Sequence, residues 1–216
     1  MCAEKAVRKN EKGKRTKQKL FETATQLFDQ YDFDSVTVDA IVEAAGLSKG
    51  TFYIYFESKY ELITAFLLDY VDKVDSSYKA HLELLPAETT AHDMIISLVE
   101  KISDELINTI GYERMRVVYK GQLSGMVNME GVIGYNRKLY KIFADVLMMG
   151  VEKGEFSSAI SIESLTKHFV IAIRGISYEW CIRYPDFYLK EQAVEHFKLL
   201  LRGIEATPLY PGASEK

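Results

Sequence analysis

The sequence predicts an all-α fold, with a small N-terminal three-helix unit followed by a larger helical domain. Three observations carry this. Only four prolines occur in 216 residues, strand-like alternation is scarce, and apolar residues recur mainly at spacings of three and four. At 48% hydrophobic, the chain has apolar material for one sizeable domain plus a small one.

Residues 1–13 read as a flexible basic arm. Residues 1–20 hold Lys5, Arg8, Lys9, Lys12, Lys14, Arg15, Lys17 and Lys19 against Glu4 and Glu11, whereas the whole chain carries a net charge of −4. Affinity for a polyanion is therefore concentrated at one end of an acidic body. The spacing predicts a first helix from about Lys14 to Tyr31, with Leu20, Phe21, Ala24, Leu27 and Phe28 facing inward.

Residues 35–59, SVTVDAIVEAAGLSKGTFYIYFESK, read as two short helices joined by a tight turn. A hydroxyl at Thr37 can cap the first helix by accepting from an orphan N–H, and Asp39 places negative charge where the helix dipole favours it. Val38, Ile41, Val42 and Ala45 form its apolar face. Gly46 suits a helix stop with positive φ, and Leu47 follows as the buried plug. Ser48 caps a second helix that turns Phe52 and Phe56 inward and Lys49, Gly50, Thr51, Tyr53 and Tyr55 outward.

An ordinary αα-hairpin is the plain alternative, but three features count against it. The outer face of the second helix lacks the Glu–Lys mixture that solvates a surface helix. Its Lys-Gly-Thr start combines a cation with small groups that admit a phosphate. Lys59 then stands at the mouth of the next helix, placed as a second phosphate clamp. Together these predict that the second helix reads DNA. The unit is bounded at 14–60 and is small for independent stability.

The remainder, 61–206, reads as one helical ligand-binding and dimerisation domain, with a loose tail at 207–216. A helix is predicted from Lys59 to about Leu85, and another from Ala91 to Ile110. Gly111, Gly121, Gly125, Gly131 and Gly134 then rule out one regular helix. Helices at Tyr135–Lys153, Ile162–Arg183 and Leu189–Ile204 complete the chain, the last two separated by Tyr184-Pro185-Asp186.

The stretch TVDAIVEAAGLSKGTFYIYFESKYEL resembles the DNA-binding signature of TetR/AcrR-type bacterial transcriptional regulators. The likeness lies in the threonine-led helix, the A-G-L-S turn, K-G-T-F-Y-x-Y-F and K-x-x-L, and it spans about residues 15 to 65. Ile54 takes a position that is often aromatic in such proteins. The resemblance implies a dimer on a palindromic operator, released when a small molecule binds the C-terminal domain. It also implies a DNA-facing set of Thr37, Ser48, Lys49, Gly50, Thr51, Tyr53, Tyr55 and Lys59. Chemically, Lys49 suits a guanine edge and Thr51 a thymine methyl. Thr37, Tyr53, Tyr55 and Lys59 suit phosphates, with Arg15 on the adjacent backbone or minor groove.

The segment LTKHFVIAIRGISYEW at 165–180 is apolar on more than one face, so it needs cover on two sides. A second copy of the chain is the expected cover. Ala172 and Gly175 permit close approach, Trp180 is an anchor, and Phe197 and Leu201 of the last helix extend the interface. An intramolecular core helix is the alternative.

For a ligand, Tyr112, Met115, Tyr119, Met126, Met129, Tyr135, Tyr140, Phe143 and Met148 gather adaptable apolar groups in the middle of the chain. Arg116 and Arg174 each call for an anion, either Glu179 or Asp104 within the protein or an acidic group on a ligand. Tyr178 shares the helix face of Arg174. The candidate ligand set is therefore Arg116, Tyr119, Tyr140, Phe143, Arg174 and Tyr178, facing a small, largely apolar or aromatic effector.

No enzyme motif of the GxSxG, HExxH, P-loop or GxGxxG kind is present. Two cysteines, Cys2 and Cys181, make neither a disulfide framework nor a zinc site, so no metal or cofactor is expected. No signal peptide or membrane span is legible, and a cytoplasmic location is expected. The expected partners are double-stranded DNA, a second copy and a small effector. A helical protein-binding adaptor is the alternative, and it leaves the basic arm unexplained.

Overall fold

In the computed structural model, residues 2–31, 35–123, 134 and 137–206 are described. The elements among them are α1 (Cys2–Gln30), α2 (Val38–Ala44), α3 (Lys49–Tyr55), α4 (Lys59–Glu83) and α5 (Ala91–Glu105), the last continued by a π-helical turn, Leu106–Ile110. They continue with α6 (Tyr112–Leu123), α7 (Lys138–Glu152), α8 (Ile162–Arg183) and α9 (Leu189–Arg202). The only β feature among the described residues is an isolated bridge between Phe156 and Glu205. The fold is all-α, as the periodicity predicts.

The chain divides into two compact units, one of residues 1–71 with 111–132, the other of 72–110 with 133–216. The division falls inside α4. In the first unit α1 begins at Cys2 rather than near Lys14. Residues 2–13, CAEKAVRKNEKG, are rich in Ala, Glu, Lys and Arg and contain no Pro, so local propensity extends the helix through the basic segment.

The first core joins Leu20, Ala24 and Phe28 of α1 to Ile41, Val42, Phe52, Phe56 and Leu62. It also takes in Val117 and Val118 of α6. That addition answers the size problem: a helix from the glycine-punctuated middle supplies apolar area that the N-terminal segment lacks. Met126 and Met129, expected to contribute to the ligand region, lie outside the described residues, as do Tyr135 and the tail at 207–216.

The second unit is built on α5, α7, α8 and α9. Phe143, Phe169 and Phe197 meet at its centre, with ring centroids 5.4 to 6.3 Å apart, in the edge and offset arrangements that aromatic quadrupoles favour. Ile95, Leu98, Leu147, Ala193 and Leu201 are buried in the same unit. Gly154, at φ +74°, ends the turn after α7, as helix C-termini favour.

A buried polar pair joins α4 to α7 within this unit. Arg137, the N-cap of α7, donates through Nε and Nη2 to the carboxylate of Asp75 on α4, at 2.7 to 3.1 Å. Asp75 is buried, and it also accepts from the Leu139 N–H at 3.2 Å. The carboxylate thus stands in for the side-chain cap that α7 lacks.

Candidate functional site

Each turn of the helix-turn-helix is held by its own local bonds. Thr37 accepts from the Ala40 N–H at 3.1 Å, which fixes the start of α2. Gly46 adopts φ +61°, a left-handed conformation with low cost only for glycine, and the Leu47 N–H closes the turn onto the Val42 carbonyl at 2.8 Å. Ser48 accepts from the Thr51 N–H at 3.2 Å and its hydroxyl also bonds that of Thr51 at 2.8 Å. Removing that cap by Ser48→Ala is expected to cost about 1 kcal/mol, seen as a lower urea midpoint with no change in slope.

Beneath α3, Phe52 is fully buried, and Phe56 follows it as the C-cap. Above it, Lys49, Gly50 and Tyr53 are exposed, while Thr51 and Tyr55 are half-buried. Of the outward set expected from the spacing, Lys49, Gly50 and Tyr53 are on the surface, whereas Tyr55 packs partly against the core of the unit. Ile54 joins the exposed residues at 76% exposure; a helix this short, with Phe52 inward, turns residue 54 to solvent. Tyr55 leans towards α1, with its Oη 3.4 Å from where a β-carbon on Gly13 would lie.

Other positions are more tied than the sequence suggests. Lys49 Nζ lies 2.8 Å from Asp39 Oδ2, and this hydrogen bond and charge raise the lysine's pKa. Lys59 donates to the Val36 carbonyl at 2.9 Å, bracing the start of α2. Ser58 caps α4 by accepting from the Glu61 N–H at 3.1 Å, and Glu61 in turn accepts from the Glu57 N–H. Arg15 is exposed on α1, and Lys17 lies 5.3 Å above the Phe56 ring in a cation–π contact.

The candidate ligand set divides. Arg116 and Tyr119 belong to the first unit; Tyr140, Phe143, Arg174 and Tyr178 belong to the second. Arg116 pairs with Glu113 at 3.2 Å and lies 5.8 Å from the Tyr112 ring. Arg174 lies 5.6 Å over the ring of Tyr140. The carboxylates expected to serve these arginines go elsewhere, Glu179 to Arg183 and Asp104 to Lys190. Phe143 is fully buried in the aromatic core: periodicity shows that it faces inward, not what it meets there.

Two of the clefts among the described residues lie in the second unit. The larger, of about 720 Å³, lies between α4, α5 and α7. Leu82, Met94, Ile142, Val146 and Met149 line it with apolar surface, and Lys79, Lys138 and Lys141 add exposed cations. None of the six candidate residues lines it. Tyr140 lines the smaller cleft, of about 530 Å³, with Arg137, Thr166 and Lys167.

The candidate dimer residues divide as well. Trp180, Phe197 and Leu201 are buried within the protomer, because the inner face of α8 and α9 covers their own unit. The second apolar face of α8 does exist, carried by other residues: Ile171 at 55% and Ile182 at 58% exposure, with exposed Tyr178. Gly175 is exposed on the same stripe and Ala172 is half-buried beside it. Residues 171, 175, 178 and 182 follow a four-three-four spacing, which keeps them in line along a helix. Leu199 of α9 is exposed as well.

Comparison with known proteins agrees with this architecture. Residues 20–66 match the family model for bacterial regulatory proteins of the tetR family. Over 203 residues the chain is 25% identical to the HTH-type transcriptional repressor KstR2 of Rhodococcus jostii (strain RHA1), covering 89% of this chain and 91% of that one. Thermus thermophilus FadR, a TetR-family repressor solved with lauroyl-CoA, superposes at a TM-score of 0.68 with 16% identity, over 92% of this chain and all of that one. Bacillus subtilis FadR, solved with stearoyl-CoA, gives a TM-score of 0.67 with 15% identity, over 87% of this chain and 99% of that one. Among the described residues no helix is long and apolar enough to cross a membrane, and no group of three or more His, Cys, Asp or Glu could hold a metal ion.

Proposed function

Because the chain is a transcriptional regulator of the tetR family, we propose that it is a cytoplasmic repressor that binds a palindromic operator as a homodimer. A small, largely apolar effector releases it. The observation that supports this best is α3, capped by Ser48 and seated on buried Phe52, with Lys49, Gly50 and Tyr53 exposed on its outer face. A helix so held enters a major groove as a rigid body, with Lys49 towards a guanine edge and Gly50 allowing close approach. Thr37, Tyr53, Tyr55 and Lys59 then take phosphates, which set register without reading sequence.

So few base-reading side chains per protomer require two half-sites, about 34–36 Å apart. The exposed stripe Ile171, Gly175, Tyr178 and Ile182, with Leu199, suits a self-complementary helical interface between two copies.

The larger cleft of the second unit is the preferred effector site, since its apolar lining and volume suit a drug-sized molecule. The two FadR structures hold acyl-CoA thioesters, so lauroyl-CoA and stearoyl-CoA are the first compounds to try. Coupling runs along α4, which places Leu62 in the helix-turn-helix core and Leu82 in the cleft. An effector shifts the balance only by its difference in affinity for the free and DNA-bound states.

The test is selection of genomic DNA fragments by the purified protein, read by sequencing. An enriched palindrome supports the proposal; retention of DNA with no common motif would sink it. On the operator so found, Lys59→Ala is expected to weaken binding similarly across sequences and to lower the log K against log salt slope by about one unit. An unchanged slope would remove Lys59 from the phosphate set.

A further inference from the structure

Lys49 and Asp39 form a polar link between α2 and α3 on their outer surface, a contact that the DNA-binding roles above leave unused. Both side chains are more than half exposed, at 53% and 66%. A pair so exposed adds little to stability, so its position needs another reason. We propose that Asp39 is a specificity-determining residue of the DNA interface, forming with Lys49 a two-residue reader of a G·C base pair. The inference rests on the operator-binding function above and names part of what that surface reads.

The chemistry follows from the groups present. A lysine carries three donors and no acceptor; an ionised aspartate only accepts. Across the major groove a G·C pair shows two adjacent acceptors, guanine N7 and O6, followed by one donor, the cytosine amino group. An ammonium beside a carboxylate matches that order. An A·T pair puts the adenine amino donor in the middle, against the ammonium, and a thymine acceptor at the far end, against the carboxylate. The pair therefore rejects A·T by repulsion as well as favouring G·C by attraction, the two halves of a specific contact.

Geometry adds preorganisation. The lysine stem is flexible and loses rotamer freedom when it docks. Here Asp39, fixed in the first turn of α2, holds the ammonium at 2.8 Å before DNA arrives. The charged state of Lys49 is favoured by the same contact. Asp39 also places a negative charge where it repels phosphate, so it cannot add to sequence-independent affinity.

The test is selection from a randomised operator library by the wild-type protein, Asp39→Ala and Asp39→Asn at equal salt. Wild type should require G·C at one position in each half-site. Both variants should keep the rest of the motif and lose about tenfold in preference at that one position, while their binding to unrelated DNA holds or rises. Only a slight fall in melting temperature by circular dichroism is expected, from the charge lost at the start of α2. A motif unchanged in both variants would overturn the proposal, as would a uniform loss of binding at every sequence, which would make Asp39 a support for α2 alone. If wild type selects a motif, the operator-binding function stands whichever way the variants fall; if it selects none, both fall together.

Discussion

Replacing Phe52 with Ala is expected to destabilise the N-terminal unit by about 3–5 kcal/mol and to abolish operator binding. Phe52 is fully buried, edge-on to Tyr53 at 5.4 Å and tilted against Phe56 at 5.7 Å. Its loss opens a cavity under the recognition helix and removes both ring contacts. A small domain holds only about 5–15 kcal/mol in total, so the loss consumes much of what keeps α3 in place. Urea unfolding followed by circular dichroism gives the stability change, and gel shift on the operator gives the loss of binding. Phe52→Leu, which keeps most of the apolar volume, should lose less on both measures. Equal midpoints for wild type and Phe52→Ala would mean that the helix is not seated on this ring.

Breaking the buried pair of the second unit comes next in size. Asp75→Asn keeps the shape of the side chain and its acceptor for the Leu139 N–H, but removes the charge that faces Arg137. A guanidinium only 17% exposed is then left without its carboxylate. The expected cost is about 3–5 kcal/mol, again read from urea midpoints. Replacing both residues by apolar ones of similar volume should recover most of that loss, because neither desolvated charge remains. A double variant as unstable as Asp75→Asn would show that the penalty comes from packing rather than from the unpaired charge. Since Asp75 also lines the larger cleft, the Asn variant should alter the response to lauroyl-CoA if that cleft is the effector site.

Local rules were enough for the reading head. The caps at Thr37 and Ser48, the glycine at 46 and the inward phenylalanines all depend on residues within one or two turns of each other, and all are found as expected. The limits of α8, Ile162–Arg183, were equally legible, because Ser161 caps its start and Tyr184-Pro185 stops its end. Ile54 was less visible, since an apolar side chain in a helix carries no mark of whether it will be covered.

Partners across long stretches of chain were not legible. Asp75 finds Arg137 from 62 residues away, and Val117 and Val118 join a core whose other members lie before residue 63. Nothing local in either segment announces the other. The same limit applies to α8. Spacing showed that α8 has two apolar faces, but Trp180, the obvious anchor, went inside, leaving Ile171, Gly175, Tyr178 and Ile182 outside. The limits of α2, α3 and α8, the caps at Thr37 and Ser48 and the outward Lys49, Gly50 and Tyr53 were thus written into the order of residues, because hydrogen bonds and periodicity act over a few positions. Which face each helix buries, and which carboxylate meets which cation, depended on packing, where the competing partners are distant in sequence and near only once the chain has folded.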